Sequence, residues 1–387
     1  MNLKNIFFLF GFYLISLSSY AQFNIGHATL SFFDSSRNRS IETEVYYPSV
    51  NDGDNVPIAI GEFPVLVFGH GFVMDWDAYQ NFWDELVPEG YVICFPTTEM
   101  GFSPNHDDFG NDLNFVSTQM QIENGDNSSI FFNSLSSKSA LMGHSMGGGA
   151  SFLAAQNNST VSTLVNFASA ETTPSAILAC SNISVPALIF SGEDDCVSPP
   201  NDNQDAMFNA LASSCKTQIT INNGGHCYFA NDNFNCTFGE SFCNSGLNIT
   251  REEQQEVTFD FLKLWLTYTL YENTLAFTRF NDSLQASNRI DFDQVCDITS
   301  IMDPKEIMAF EVYPNPTSDK LNLKFLQEAK NGELAIFNSM GQRVYRNDLR
   351  IVDYPIALSH LKKGVYFVVL TVDSRIFSKT FLKIEGE

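Results

Sequence analysis

The sequence has few basic residues, because only 21 Lys and Arg stand against 45 Asp and Glu and the formal net charge is −24 at pH 7. A chain this acidic repels phosphate backbones and anionic lipids, which excludes nucleic-acid and membrane-surface binding and favours uncharged or cationic partners. The imbalance is uneven: residues 1–302 carry 9 basic and 34 acidic residues, whereas residues 303–387 carry 12 and 11. We therefore expect two differently built parts.

Long apolar runs and metal-ligand patterns are also missing. No stretch after the first 21 residues reaches the roughly 20 apolar residues that a membrane span needs. There are 6 histidines, and no two have the spacing of zinc ligands, so we predict no metal site. His106, with Asp107, Asp108 and Asp112 close by in the chain, is predicted to lie in a solvated polar loop.

Residues 1–21 have the layout of an export signal. Lys4 precedes an apolar run from Ile6 to Leu17, and small residues follow up to Ala21. The apolar run is too short for a comfortable membrane span. We expect the mature chain to begin at Gln22 and to lie outside the inner membrane.

The remaining chain divides into two predicted domains. With 44% hydrophobic residues and 36 Phe, the chain is globular rather than disordered. Residues 22–297 alternate β-rich runs with helical patterns, which predicts an α/β fold with a mostly parallel sheet flanked by helices. An amphipathic pattern from Glu252 to about Tyr271 predicts the helix that closes this domain. A linker at 298–309 leads to 310–387, where strands alternate with turn signals and predict a small all-β sandwich.

The strongest chemical signal is the pentapeptide Gly143-His144-Ser145-Met146-Gly147. It follows the apolar strand Ala140–Met142 and precedes a helical pattern, which is the context of a nucleophile elbow. The turn holds the serine in a strained backbone conformation, so small residues are needed two positions before and after it. We predict that Ser145 is a catalytic nucleophile.

A serine nucleophile needs an imidazole base and a carboxylate that orients the imidazole, in the chain order Ser, acid, His on this kind of sheet. The predicted strand Ala187–Phe190 ends in Glu193-Asp194-Asp195. We predict Asp195 as the acid, with Asp194 as the alternative. His226, in the loop after the next strand, is the predicted base.

Acyl transfer also needs N–H donors for the developing oxyanion. The backbone N–H of Met146, directly after the nucleophile, is one predicted donor. The loop after an early central strand reads Phe68-Gly69-His70-Gly71-Phe72, and the N–H of Phe72 is the other. His70 is predicted to brace this loop through hydrogen bonds.

Eight cysteines in an exported chain can form disulfides, although sequence alone does not give the pairing. Cys196 follows the predicted acid and Cys227 follows the predicted base, so a bridge between them would tie the two loops together. Cys236 and Cys243 are close enough to staple one loop. Cys94 is predicted to be a buried thiol, and the remaining alternatives are Cys180, Cys215 and Cys296.

The elbow together with Gly148-Gly149, and the acid loop Glu193-Asp194-Asp195-Cys196-Val197-Ser198-Pro199, resemble the α/β-hydrolase superfamily and, within it, the cutinase-like polyester hydrolases, including poly(ethylene terephthalate) hydrolases. The resemblance implies an α/β-hydrolase fold and the triad Ser145, Asp195 and His226. It also implies that Phe72 supplies an oxyanion N–H while its ring faces the substrate, with Met146 and Val197 lining the acyl site.

The chain departs from that family in one loop. Its members usually carry a tryptophan after the strand that follows the elbow helix, where this chain has Ala170-Glu171-Thr172-Thr173. Helix packing is the favoured role for both Trp76 and Tyr79. The alternative is that one of them replaces the tryptophan as a platform for the substrate, and Trp76 is the candidate substrate contact.

The last 78 residues resemble the C-terminal sorting domain of the type IX secretion system. The matching pieces are Val312-Tyr313-Pro314-Asn315-Pro316, Ala335–Gln342 and Leu361–Tyr366. This resemblance implies export through the periplasm and across the outer membrane by that machinery.

These patterns predict a secreted, monomeric serine ester hydrolase that needs no metal or organic cofactor and acts on a polyester. The alternatives are a carboxylesterase or lipase on small or lipid esters, a secreted serine peptidase, and a non-catalytic binding protein that kept the fold.

Overall fold

The computed structural model describes residues 22–156, 158, 160–243, 246–296, 310–325, 332–338, 342–348, 355–372 and 375–385. The chain forms two compact units, with the division between Cys296 and Asp297. The predicted export signal, 1–21, and the predicted linker, 298–309, lie outside the described residues. No described helix is both long and apolar enough to cross a membrane.

The first unit is built on a ten-stranded sheet. Its strands, in chain order, are β1 (Asn24–Asp34), β2 (Arg39–Ser49), β3 (Gly53–Asp54), β4 (Phe63–Gly69), β5 (Val92–Pro96), β6 (Leu135–His144), β7 (Thr163–Phe167), β8 (Ala187–Gly192), β9 (Cys215–Ile221) and β10 (Ile290–Cys296). The spatial order is β10-β9-β8-β7-β6-β4-β5-β2-β1-β3. The six central strands from β9 to β5 are parallel, and β2 and β10 join them antiparallel.

Eight helices accompany this sheet in the described part of the unit. They are α1 (Gln80–Leu86), α2 (His106–Gly125), α3 (Met146–Ala155), α4 (Ala176–Cys180), α5 (Gln204–Ala210), α6 (Phe234–Glu240), α7 (Arg251–Tyr271) and α8 (Thr274–Ala286). Neighbouring strand residues divide between two apolar cores: Val65 and Val67 join the core with α2 to α5, whereas Leu66 and Phe68 join the core with α1, α7 and α8. Both faces of the sheet are therefore covered, which explains why the central strands are apolar throughout.

The helix α2 corrects the prediction of a solvated polar loop around His106. Asn105 caps this helix, because its side chain accepts hydrogen bonds from the N–H groups of Asp107 and Asp108. Asp112 is completely buried and pairs with the guanidinium groups of both Arg37 and Arg39. Asp107 and Asp108 thus lie in the first turn of a helix, and Asp112 is a buried ion-pair partner rather than a solvated side chain.

The second unit is a small β-sandwich. One sheet contains β11 (Phe310–Tyr313), β12 (Lys320–Phe325) and β15 (Ile356–Ala357), and the other contains β13 (Glu333–Asn338), β14 (Arg343–Asp348), β16 (Gly364–Val372) and β17 (Arg375–Lys383). Side chains of both sheets share one apolar core, including Leu321 and Leu323 from the first and Ile336 and Val368 from the second. The predicted fold class, an α/β unit followed by an all-β sandwich, is confirmed.

Candidate active site

Ser145 lies at the sharp turn between β6 and α3. Its backbone is at φ 55° and ψ −121°, a left-handed conformation that is strained for a residue with a side chain. A Cβ atom on Gly143 would lie 2.3 Å from the carbonyl oxygen of Gly147, and one on Gly147 would lie 2.1 Å from that of Gly69. The two glycines therefore allow the close approach of strand, helix and the loop after β4.

The structure brings Ser145, His226 and Asp195 into one hydrogen-bonded line. The Nε2 atom of His226 is 2.9 Å from the Ser145 hydroxyl oxygen, and its Nδ1 atom is 2.8 Å from the Asp195 Oδ2 atom. All three side chains are nearly buried. With Nδ1–H donating to the carboxylate, Nε2 is left unprotonated and faces the hydroxyl proton.

The loop after β8 separates the two candidate acids. Asp195 is buried, and its Oδ1 atom accepts hydrogen bonds of 2.9 Å from the N–H groups of both Val197 and Ser198. Asp194 is exposed, and its backbone N–H donates to the Gly224 carbonyl. Asp195 is thus fixed against the imidazole, whereas Asp194 takes no part in the cluster.

Ser198 also contacts the imidazole, which the sequence reasoning missed. Its hydroxyl donates to the Ala168 carbonyl, and its oxygen lies 3.0 Å from the Nδ1 atom of His226. The Nδ1–H group therefore faces two oxygen acceptors, those of Asp195 and Ser198. One sequence feature could have indicated this contact: Ser198 lies only three residues after the predicted acid Asp195, in the same loop.

Glu240, at the end of α6, is a second residue that the sequence reasoning missed. Its Oε1 atom accepts a 2.8 Å hydrogen bond from the backbone N–H of His226, and the side chain is buried. A buried carboxylate bonded to the main chain of His226 holds that residue in place. No local sequence pattern predicts this contact, because Glu240 and His226 are brought together only by tertiary folding.

A buried relay links the loop after β4 to the His226 loop through His144 and Tyr79. The Gly71 N–H donates to the Tyr79 hydroxyl oxygen over 2.7 Å, and that hydroxyl is 3.0 Å from the Nδ1 atom of His144. The Nε2 atom of His144 is 3.0 Å from the carbonyl oxygen of His226. Burial holds the pKa of His144 well below its usual value, so the ring is neutral, with Nε2–H donating and Nδ1 accepting.

His70 braces the loop after β4, as predicted. Its two ring nitrogens each lie 2.8 Å from a backbone carbonyl oxygen, one of Gly71 and one of Thr98. Burial lowers the pKa of His70 as well.

The N–H groups of Phe72 and Met146 are the two predicted oxyanion donors. Met146 is the first residue of α3, so its N–H has no partner within the helix. Neither N–H has an acceptor among the residues that the structure describes. The contact between Gly147 and the backbone of Gly69 and His70 brings the loop that carries Phe72 against the first turn of α3.

The predicted substrate contacts Phe72, Met146 and Val197 differ in their exposure to solvent. Phe72 and Val197 are exposed, and Met146 is buried beside the serine. Phe102, which the sequence reasoning did not select, is exposed and makes an edge-to-face contact with the Phe72 ring. Exposed apolar side chains therefore lie on the loop after β4, which carries Phe72, and on the loop after β8, which carries Val197.

The structure separates the two roles considered for Trp76 and Tyr79. Tyr79 is completely buried in the relay, which confirms packing as its role and rules out the alternative of a substrate platform. Trp76 packs against the apolar core, and its indole N–H donates to the hydroxyl of Tyr46 on β2, three strands away from β6. Packing is thus what the structure shows for both residues.

The disulfides correct the predicted pairing. Cys196 is bonded to Cys243 and Cys227 to Cys236, so neither the expected Cys196–Cys227 bridge nor the Cys236–Cys243 staple is present. The acid and base loops are each tied to α6 or the residues just after it. A third bond, between Cys215 and Cys296, joins β9 to β10, and the buried thiols are Cys180 and, as predicted, Cys94.

Within the described ranges, no group of three or more His, Cys, Asp or Glu side chains is placed to hold a metal ion. The chemistry available in the cluster is that of a hydroxyl, an imidazole, carboxylates and backbone N–H groups. This combination suits nucleophilic attack on a carbonyl carbon, followed by proton transfer to the leaving group.

Comparison with known proteins agrees with both resemblances. Residues 25–243 match the model of the PET hydrolase-like family, and residues 311–384 match that of the secretion system C-terminal sorting domain. No curated protein matches the chain. The first match covers more than half of the 387 residues, and the second points to export. The chain thus belongs to the PET hydrolase-like family of hydrolases and ends in a secretion sorting domain.

Proposed function

We propose that the protein is an exported serine ester hydrolase whose substrate is a polyester. The single observation that carries the proposal is the line of hydrogen bonds from the Ser145 hydroxyl through the His226 ring to the Asp195 carboxylate, with distances of 2.9 and 2.8 Å. The membership in the PET hydrolase-like family supports the ester bond as the target.

The reaction proceeds in two half-reactions. As the Ser145 oxygen attacks the ester carbonyl carbon, its proton passes to the Nε2 atom of His226, and Asp195 stabilises the imidazolium that forms. The tetrahedral intermediate then collapses, the alkoxide leaves with the proton from Nε2, and an acyl-enzyme remains. A water molecule, deprotonated by the same nitrogen, releases the acid and restores the serine.

The N–H groups of Met146 and Phe72 hold the oxyanion in both half-reactions. Their lack of other acceptors among the described residues supports this role, because each donor is then available when the charge develops. Loss of one such donor costs about 3 kcal/mol of transition-state stabilisation in related chemistry.

Three observations support a polymeric substrate with an apolar acyl group. Phe72 and Val197 expose apolar surface on the loops after β4 and β8, and the buried Met146 directly follows the serine in the chain. The sorting domain at 311–384 supports delivery by the type IX machinery to the cell surface or beyond, and export suits a substrate too large to import. We propose that the exported enzyme acts as a monomer, without a metal or organic cofactor.

The test uses the purified protein beside Ser145→Ala. Wild type is expected to hydrolyse short nitrophenyl esters and to release soluble aromatic acid from polyester film, and Ser145→Ala is expected to do neither. Turnover of short esters without acid from the film would instead support a carboxylesterase or lipase.

A fluorophosphonate probe separates chemistry from binding. Labelling of wild type but not of Ser145→Ala is expected, because the probe reacts only with an activated serine. If the folded wild-type protein is not labelled, the proposed catalytic function is refuted and a non-catalytic binding protein is the remaining interpretation. Cleavage of peptides in preference to esters would support a peptidase.

A further inference from the structure

The segment that follows His226 carries a row of exposed aromatic rings. Phe234, Phe238 and Phe242 are 79%, 55% and 75% exposed, and we call these three residues the aromatic ladder. Consecutive rings are in contact, with centroids 5.8 Å apart in a stacked pair and 4.9 Å apart in an edge-to-face pair. A row of three Phe rings left in water is unusual, because burying such rings is strongly favourable.

This ladder adjoins both sides of the candidate active site. At one end, the Asn235 side-chain amide donates to the Val73 carbonyl, directly after Phe72. At the other end, Cys243 is bonded to Cys196, directly before Val197. The segment from 234 to 243 is therefore tied to the loop that carries Phe72 and to the loop that carries Val197.

The base of the ladder is firmly held. The disulfide between Cys227 and Cys236 fixes α6 to the loop after His226, and buried Glu240 bonds the His226 N–H. The rings are exposed on a segment that the fold fastens at both ends and in the middle. A rigid exposed apolar surface binds a partner at little cost in conformational entropy.

The charge pattern indicates what partner fits. In a chain with a net charge of −24, residues 233–250 contain one charged residue, Glu240, whose side chain is buried against the His226 loop. An uncharged, ring-bearing surface suits an uncharged partner that offers apolar or aromatic groups, and it offers no ion pairs to a charged one.

We propose that the aromatic ladder is a docking surface for the polyester chain outside the acyl site, where aromatic rings of the polymer stack on Phe234, Phe238 and Phe242. The inference rests on the proposed function, since it assigns the surface to the same substrate. Its continuity with Phe72 and Val197 lets one polymer chain occupy the ladder while its ester bond lies at Ser145.

The test compares two triple variants. The ladder variant is Phe234→Ser, Phe238→Ser and Phe242→Ser. The matched control is Phe33→Ser, Val50→Ser and Ile60→Ser, three residues that are 58%, 63% and 100% exposed and lie in or near β1 to β3, at the edge of the sheet away from β9 and β10. Thermal unfolding midpoints close to that of wild type verify that both variants fold.

Adsorption to polyester film is measured with Ser145→Ala in every protein, so that binding is measured without turnover. This measurement does not depend on whether the proposed function is right. The ladder variant is expected to adsorb about tenfold more weakly, from the loss of three ring contacts. The control is expected to adsorb like the parent. Equal adsorption of ladder variant and control would overturn the inference.

Activity is measured in the active background. The ladder variant is expected to keep kcat/KM for a short soluble ester while its release of acid from film falls with the adsorption. An equal fall on the soluble ester would show that the rings act through the catalytic cluster, which overturns docking. A wild-type dimer that the ladder substitutions split, with adsorption unchanged, would assign the rings to a second copy and also overturn it. If wild type hydrolyses none of the esters, the proposed function is refuted. The adsorption measurement still tests whether the aromatic ladder binds polyester.

Discussion

Removal of single disulfides is expected to separate stability from catalysis. In the chain-entropy model, the Cys215–Cys296 bond, with a sequence separation of 81, contributes about 4.5 kcal/mol to the free energy of unfolding. The Cys227–Cys236 bond, with a separation of 9, contributes about 2.6 kcal/mol. The first closes a much larger loop of the unfolded chain, so its loss is the more destabilising.

The catalytic effects are expected in the opposite order. Cys215 lies at the start of β9, at the far end of that strand from the His226 loop, whereas Cys227 directly follows His226. Replacing Cys215 and Cys296 by Ala should leave kcat for a soluble ester within about twofold of wild type. Replacing Cys227 and Cys236 should lower kcat by about tenfold, which corresponds to about 1.4 kcal/mol of lost transition-state stabilisation.

The assays are urea unfolding of the first unit and steady-state kinetics at a temperature where both double variants remain folded. Full reduction of wild type, which also opens the Cys196–Cys243 bond, should lower stability by at least the combined loss of the two double variants. A Cys227/Cys236 variant with unchanged kcat, or a Cys215/Cys296 variant with the smaller loss of stability, would refute the reasoning.

Three further outcomes follow from the site. Glu240→Ala should lower kcat about tenfold or more, because it leaves the buried His226 N–H without its acceptor, and Glu240→Gln, which keeps an acceptor, should recover most of the rate; equal rates for both variants would contradict this. Gly147→Ala should abolish ester turnover in a protein that still folds, because its Cβ atom would lie 2.1 Å from the Gly69 carbonyl oxygen and displace the loop that carries Phe72, a proposed oxyanion donor; full ester turnover by this variant would rule this out. Stability should fall as the pH drops below about 6.5, because burial depresses the pKa of His144 and that of His70 and the unfolded chain takes up these protons first; each histidine contributes a loss of up to about 1.4 kcal/mol per pH unit, and His144→Gln should remove its share of the dependence in urea titrations at pH 7 and pH 5.

The sequence predicted those parts of the site that depend on local backbone chemistry. The elbow at Ser145 and the acid loop at Asp195 each combine a buried strand with a tight turn, and both features are visible in consecutive residues. His226 could be selected because chain order on a parallel sheet restricts where a base can come from. The predictions of Ser145 and Asp195 therefore needed no knowledge of long-range packing.

Contacts between distant segments could not be predicted in the same way. The pairing of Cys196 with Cys243 depends on where α6 packs, and Glu240 reaches His226 for the same reason. Chain order favoured a bridge between Cys196 and Cys227, which follow Asp195 and His226. Each of these cysteines is instead bonded to α6 or to the residues just after it.

The helix α2 was missed although its signals were present. Asn105 is a good helix cap, and Phe109, Leu113, Val116 and Met120 recur with the period of a helix face that packs on the sheet. The density of acidic residues at its start obscured this pattern. Acidic residues in the first turn are favourable for a helix, so they should have counted for a helix rather than against it.

The buried relay from Gly71 through Tyr79 and His144 to His226 has a consequence for how this enzyme can change. Each proton position in the relay is determined by the next acceptor, so the loop that carries Phe72 and the loop that carries His226 share one chain of hydrogen bonds. Substitutions in these loops should be non-additive, and double-mutant cycles between them should give coupling energies well above those of unconnected sites. Attempts to widen the substrate range by altering one loop will therefore succeed more often when the other is varied at the same time.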